Sequence, residues 1–148
     1  MTENGESPTL IRLADEFRFL SELAIDLFRK GPDAIIIVNG ETGIIQLVND
    51  QAEFLTGYHR SELRGKPVEM LIPDASHEVH ISNRAGYMDN PRVRRMYEHA
   101  GLKLKSKSGR EIPVEIMLAP VSTARGIFVI ATVRRKDQLW KLLCGNGR

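Results

Sequence analysis

The stretch LVNDQAEFLTGYHRSELRGKPVEMLIP, Leu47 to Pro73, decides how the rest of the chain is read. It divides Asn49, Gly57, Gly65 and scattered apolar residues into pieces too short to be helices alone, since isolated helices below about 12–15 residues are marginal in water. Asn49 or Asp50 is placed to cap QAEFLTG, which Gly57 closes in a left-handed conformation. Ser61 is placed to cap SELRG, closed by Gly65; Pro67 suits the first turn of PVEMLIP, and Pro73 ends it. Just before the stretch, DAIIIVN (33–39) and IIQLVN (44–49) predict two short strands, joined by the turn residues GETG (40–43). Helical turns that cannot stabilise themselves exist only where they lie across a sheet and share its core. Hinged in this way, they can also stand off from the sheet and leave a hollow.

Working outward, Ala75 to about Met88 predicts a longer amphipathic helix, and DNPRVRRM (89–96) a loop. GLKLKSKSGREIPVEIMLAP then alternates: Leu102 and Leu104 face one way, Lys103, Lys105 and Lys107 the other, KSGR turns, and Ile112, Val114, Ile116 and Leu118 form the next inward row. IFVIATVRR is apolar at both parities, the pattern of a central strand. On the other side, Thr9 is placed to cap a helix over 9–30 that Gly31-Pro32 ends. Its residues Leu10, Leu13, Phe17, Leu20, Ala24 and Leu27 make one stripe at 3-4-3-4-3 spacing, which fits a coiled-coil seam between two copies. The same stripe also fits a helix capping the domain's own sheet, and Ile11, Leu23, Ile25 and Phe28 add a second apolar face. The order predicts an α+β fold, a five-stranded antiparallel sheet with short helices on one face and an N-terminal amphipathic helix. The expected division is a disordered start at 1–8, the helix at 9–30, the domain at 31–136, and a terminal helix, KDQLWKLL, within 137–148.

Composition narrows the class. The chain has 148 residues, 42% apolar and 27% charged, with a net charge of +2, which fits one globular domain and demands no acidic partner. A single cysteine, Cys144, allows no disulfide within the chain and points to a reducing cytosol. The longest apolar runs, AIIIV and GIFVIATV, are too short to span a bilayer, so no membrane is implied. No phosphate-binding glycine loop, serine elbow or kinase catalytic loop is present, and no catalytic residue is assigned. Basic residues are not interleaved with aromatic ones, so nucleic acid is not an expected partner.

The strand–Asn–helix–Gly–Tyr–Glu-Leu–Gly–Pro order in IIQLVNDQAEFLTGYHRSELRGKPVEMLIP, followed by LKSKSGREIPVEIMLAPV with its Lys-x-Gly-x-x-Pro-Val hairpin, resembles the PAS domain family over roughly Leu27 to Lys136. The resemblance implies a sensory or interaction module that binds a small ligand in the sheet–helix hollow, or forms a homodimer. Such a module biases an attached output domain: a histidine kinase, a diguanylate cyclase or a transcription regulator. It also bears on cofactors. The position matching the axial histidine of haem-binding relatives is Ala85, which argues against haem. The region matching the flavin-binding cysteine has none, which excludes a covalent flavin and leaves a non-covalent small molecule. Where the family ends its last strand in Asp-Ile-Thr, Arg135 stands at the acidic position.

Residues expected to line the hollow are Leu47, Phe54, Leu71, Val79, His80 and Met88, then Met96, Leu104, Ile116, Leu118, Phe128 and Ile130 from the later strands. Such a lining suits a small-molecule pocket and equally a filled core. His77 and His80, at i and i+3, are too few for a metal site. His80 is expected either to hydrogen-bond at the core edge or to orient a ligand's carboxylate or carbonyl. Arg92, Arg94 or Arg95 is expected either to clamp an anionic ligand or to lie in a solvated loop, with Arg95 the favoured clamp because Met96 beside it points inward.

Overall fold

The computed structural model describes residues 7–96 and 101–136, without the side chain of Arg95. Helix α1 (Pro8–Lys30) precedes strands β1 (Ala34–Asn39) and β2 (Ile45–Val48). The segment after β2 is indeed broken: α2 (Asp50–Thr56), α3 (Arg60–Leu63), 3₁₀ turns at Val68–Leu71 and Asp74–Ser76, then α4 (His77–Asp89). Four strands follow, β3 (Arg94–Arg95), β4 (Lys103–Lys105), β5 (Glu111–Thr123) and β6 (Gly126–Arg135). All pairings are antiparallel, in the order β2–β1–β6–β5, and β3 and β4 share the far edge of β5. The sheet is therefore five strand positions wide. The expected loop at 89–96 is corrected to a loop that ends in β3, because Arg94 and Arg95 pair with Leu118 and Met117.

Side-chain hydrogen bonds explain where the short helices start. Asn49 caps α2: its Oδ1 accepts from the Ala52 N–H at 3.0 Å. The same oxygen accepts from the Ile35 N–H at 2.9 Å, and Nδ2 donates to the Asp33 carbonyl at 2.9 Å. One fully buried amide thus fixes the roof's first helix to β1. Gly57 closes α2 at φ 76°, a conformation a side chain disfavours. Ser61 does not cap α3; it lies inside the helix. The cap is His59, because the Glu62 carboxylate reaches back to accept from its N–H at 2.8 Å and His59 Nδ1 accepts from the Ser61 N–H.

The core lies between the sheet and this broken roof. Ala34, Ile36, Val38, Ile112, Val114 and Val133 from the strands meet Ala52, Leu55, Leu63 and Leu71 from above. Helix α1 departs from expectation at its start: Ser7, not Thr9, is the cap, with Pro8 in the first turn. None of its residues is buried, and Leu10, Leu13, Phe17, Leu20, Ala24 and Leu27 are all exposed. It therefore does not cap the sheet of its own chain. The disordered start expected at 1–8 is corrected at its end, where Ser7 caps α1 and Pro8 begins it; residues 1–6 and the expected segment 137–148 lie outside the described residues.

Candidate functional site

A cavity of about 520 Å³ lies between α4 and the sheet. Its floor is apolar: Ile36 and Val38 of β1, Ile116 and Leu118 of β5, Val129, Ala131 and Val133 of β6, and Leu104 of β4. Its roof is Leu71 and Ile72 with His80, Arg84, Tyr87 and Met88 of α4. Asn83, Asn90, Arg92, Arg94 and Lys103 also line it. Among the described residues, each lining side chain that can carry charge at neutral pH is basic; no Asp or Glu contributes to the wall.

Two of these side chains are already engaged. Arg84 Nε donates to Glu69 Oε1 at 3.0 Å, and His80 Nδ1 lies 3.2 Å from the same oxygen, so Nδ1 carries the proton. Burial pushes the Glu69 carboxyl up, but its own backbone N–H, Arg84 and His80 outweigh that, and the group sits below the usual carboxylate value. Arg84 also fills the space over Gly43, and its Nη1 donates to the Glu41 carbonyl at 3.4 Å, tying α4 to the β1–β2 turn. Lys103 faces Glu111 at 3.8 Å. Arg92 and Arg94 have no carboxylate partner among the described residues. The Tyr87 hydroxyl donates to the Arg92 carbonyl at 2.7 Å and holds this arm against α4. Burial raises the Tyr87 pKa, against the pull of that bond and of the Arg94 and Arg92 charges.

Leu71, His80, Met88, Met96, Leu104, Ile116 and Leu118 come together at the cavity. Leu47, Phe54, Val79, Phe128 and Ile130 do not. Phe128 and Ile130 fail by parity: they pair with Asn39 and Ile37, while Val129, Ala131 and Val133 point in. A one-residue shift reverses every side chain of a strand, and IFVIATV carries no alternation to fix the choice. Leu47 pairs with Ile37, belongs to the same outer row, and is 40% exposed. Phe54 is 82% exposed because α2 buries Ala52, Leu55 and Thr56, its opposite face. Val79 is 61% exposed on α4. Arg94 lines the wall, consistent with its pairing to inward-facing Leu118; the side chain of Arg95, favoured from the sequence, lies outside the described ones. Arg84 and Tyr87 were missed, although the spacing His80–Arg84–Tyr87 marks one helical face. His77 is half-buried, donating from Nε2 to the Ile72 carbonyl at 2.7 Å. Among the described residues no three His, Cys, Asp or Glu side chains are grouped to hold a metal ion, and no helix is long and apolar enough to cross a membrane.

A broken helical roof over a curved antiparallel sheet, with a hollow between them, defines a class of fold, and comparison identifies it. The sequence model described as PAS fold matches residues 27–136. The chain belongs to the PAS family. Its fold is similar to the PAS domain of an HTR-like protein from Haloarcula marismortui, with TM-score 0.70, 20% identity, and coverage of 84% of this chain and 98% of that one. It is also similar to a PAS domain from Colwellia psychrerythraea, with TM-score 0.68, 21% identity, and coverage of 79% and 97%. A third similar structure is a domain of a sensory box sensor histidine kinase/response regulator from Geobacter sulfurreducens, with TM-score 0.64, 18% identity, and coverage of 78% and 95%.

Proposed function

We propose that the chain is a sensory signalling module that takes a small, non-covalent ligand in the cavity under α4 and biases an attached output domain. The observation that carries this reading is the cavity itself: about 520 Å³ with an apolar floor and a few polar groups on one side, the form of a small-molecule site. The Geobacter relative, part of a sensor histidine kinase, supports the signalling role. Catalysis, in this reading, belongs to the output domain.

A route for the signal is built into Asp33. Its carbonyl accepts from Asn49, the cap of the roof, and its carboxylate accepts from Arg134 Nε and Nη2, both at 3.1 Å. The α1–β1 junction, the roof and the end of β6 therefore meet at one residue. A ligand moves this assembly only by binding its two states with different affinity. The test is native mass spectrometry of the purified protein, followed by a thermal melt with the recovered compound added back. A specific ligand at 100 times its Kd stabilises by about 2.7 kcal/mol. Protein that carries no small molecule, and whose melting temperature no compound in a metabolite screen raises, refutes the reading.

Homodimerisation through α1 and the outer sheet face is a second reading, carried by a separate observation. Leu13, Phe17 and Leu20 are exposed along one stripe, and Met117 and Val121 are exposed beside half-buried Ile35, Ile37, Phe128 and Ile130 on the sheet's uncovered side. Sedimentation should give a dimer for the wild type and a monomer for Phe17→Asp or Leu20→Asp. A monomeric wild type at tens of micromolar removes this reading.

A further inference from the structure

We infer that the ligand is a monocarboxylate with a compact apolar body, its carboxylate held by Arg94 and Arg92 and its body laid on the floor of β1, β5 and β6. The inference rests on reading the cavity as a ligand site and specifies the chemistry of that site.

Three observations converge. The wall is basic and carries no carboxylate, so the cavity selects against cations and has no negative charge to match an ammonium group. Within that wall the cations are not equivalent. Arg84 is matched by Glu69 and Lys103 by Glu111, whereas Arg92 and Arg94 have no carboxylate partner among the described residues. Arg94 is half-buried, lines the cavity and shares the inward row of Leu118. A partly desolvated cation is costly until an anion pairs with it, and a guanidinium presents two parallel N–H groups that fit a carboxylate. Arg92 stands two residues away on the same arm, and that arm is positioned by the Tyr87 hydroxyl on its backbone carbonyl.

The floor sets the rest of the molecule. Ile36, Val38, Ile116 and Val129 offer no hydrogen-bonding side chain, so a second charged group would be buried there unpaired. A free inorganic anion would engage the arginines but leave the floor wet. The volume sets an upper size: at ~30 Å³ per water-sized unit it holds roughly 17 such units, which excludes a two-chain lipid and admits a single-chain or aryl acid.

The experiment compares octanoate and 4-phenylbutyrate with their neutral amides, octanamide and 4-phenylbutanamide, by thermal shift and titration calorimetry. At least one acid should raise the melting temperature and bind roughly tenfold or more tighter than its amide, the scale of one charge-assisted hydrogen-bonded pair. Arg94→Gln should reduce that ratio to about twofold, Arg94→Lys should keep part of it, and Lys66→Gln, an exposed cation away from the cavity, should leave it intact. Raising the salt concentration should weaken the acid more than the amide in the wild type, which tests the same pairing without a substitution. Amides that bind as tightly as the acids, or an unchanged ratio in Arg94→Gln, overturn the carboxylate assignment and leave the cavity a ligand site. If no acid binds while mass spectrometry finds another bound molecule, the assignment alone fails. If neither binds and none is found, the functional reading fails with it.

Discussion

Replacing Asn49 tests the joint between roof and sheet most directly. Asn49→Ala removes three side-chain hydrogen bonds at once, from the Ala52 N–H, from the Ile35 N–H and to the Asp33 carbonyl, all 2.9–3.0 Å long. The lost helix cap costs about 1 kcal/mol. The Ile35 N–H, left without its acceptor inside the sheet, adds ~1–3 kcal/mol. The sum is about 3 kcal/mol, a large share of the 5–15 kcal/mol that holds a typical domain together. For a domain of this size that lowers the melting temperature by roughly 10 °C. Urea unfolding followed by circular dichroism measures it: the midpoint should fall with the slope unchanged. Asn49→Asp gives a second reading. It keeps the acceptor oxygen but sets a carboxylate oxygen against the Asp33 carbonyl. Its folded-state pKa should rise, so the variant should recover stability as the pH falls and the carboxyl gains a proton to donate. A loss below about 1 kcal/mol for Asn49→Ala would falsify the bridging role, because the cap alone accounts for that much.

The Glu69 cluster predicts a pH dependence. The folded-state pKa of Glu69 lies below its ordinary value of 4.5, so its contribution to stability is present above that value and lost as pH falls through the folded pKa. Melts of the wild type should drop below pH 4.5 more steeply than those of Glu69→Gln, and at pH 7 the variant should be weaker by about 2 kcal/mol. Gly43→Ala should cost roughly 2 kcal/mol, since φ is 72° and the new methyl displaces the Arg84 guanidinium. Its loss should be less than additive with Glu69→Gln, which a double-mutant cycle by urea unfolding measures. Tyr87→Phe should lose ~1 kcal/mol with the Arg92 bond, and amide exchange should quicken at Arg94 and Met96 before anywhere in β1.

Most of the fold was legible because its signals are local and physical. Asn49 ahead of an apolar run, Gly57 and Gly65 at left-handed positions, and the strict alternation through Leu104, Ile112 and Val114 each constrain the backbone whatever surrounds it. The cavity was legible only where alternation was clean. Ile116 and Leu118 fell on the right side of β5, while β6, apolar at both parities, left nothing to separate Phe128 from Val129. Arg94 was one of three arginines the sequence offered for the wall, and no local signal fixes the register of a two-residue strand. Likewise the stripe on α1 fits a seam between copies and a cap on its own sheet equally well, and the chain by itself leaves it exposed.

The interruptions in the roof have an evolutionary reach. Gly57, Gly65, Pro67 and Pro73 divide it into tiles, each joined to the next by a break in helical conformation. A tile can tilt without bending its neighbours or disturbing the strands beneath. The space under α4 can therefore be enlarged, narrowed or re-equipped through changes in one tile while the platform keeps its shape, so descendants of one architecture can come to hold quite different molecules.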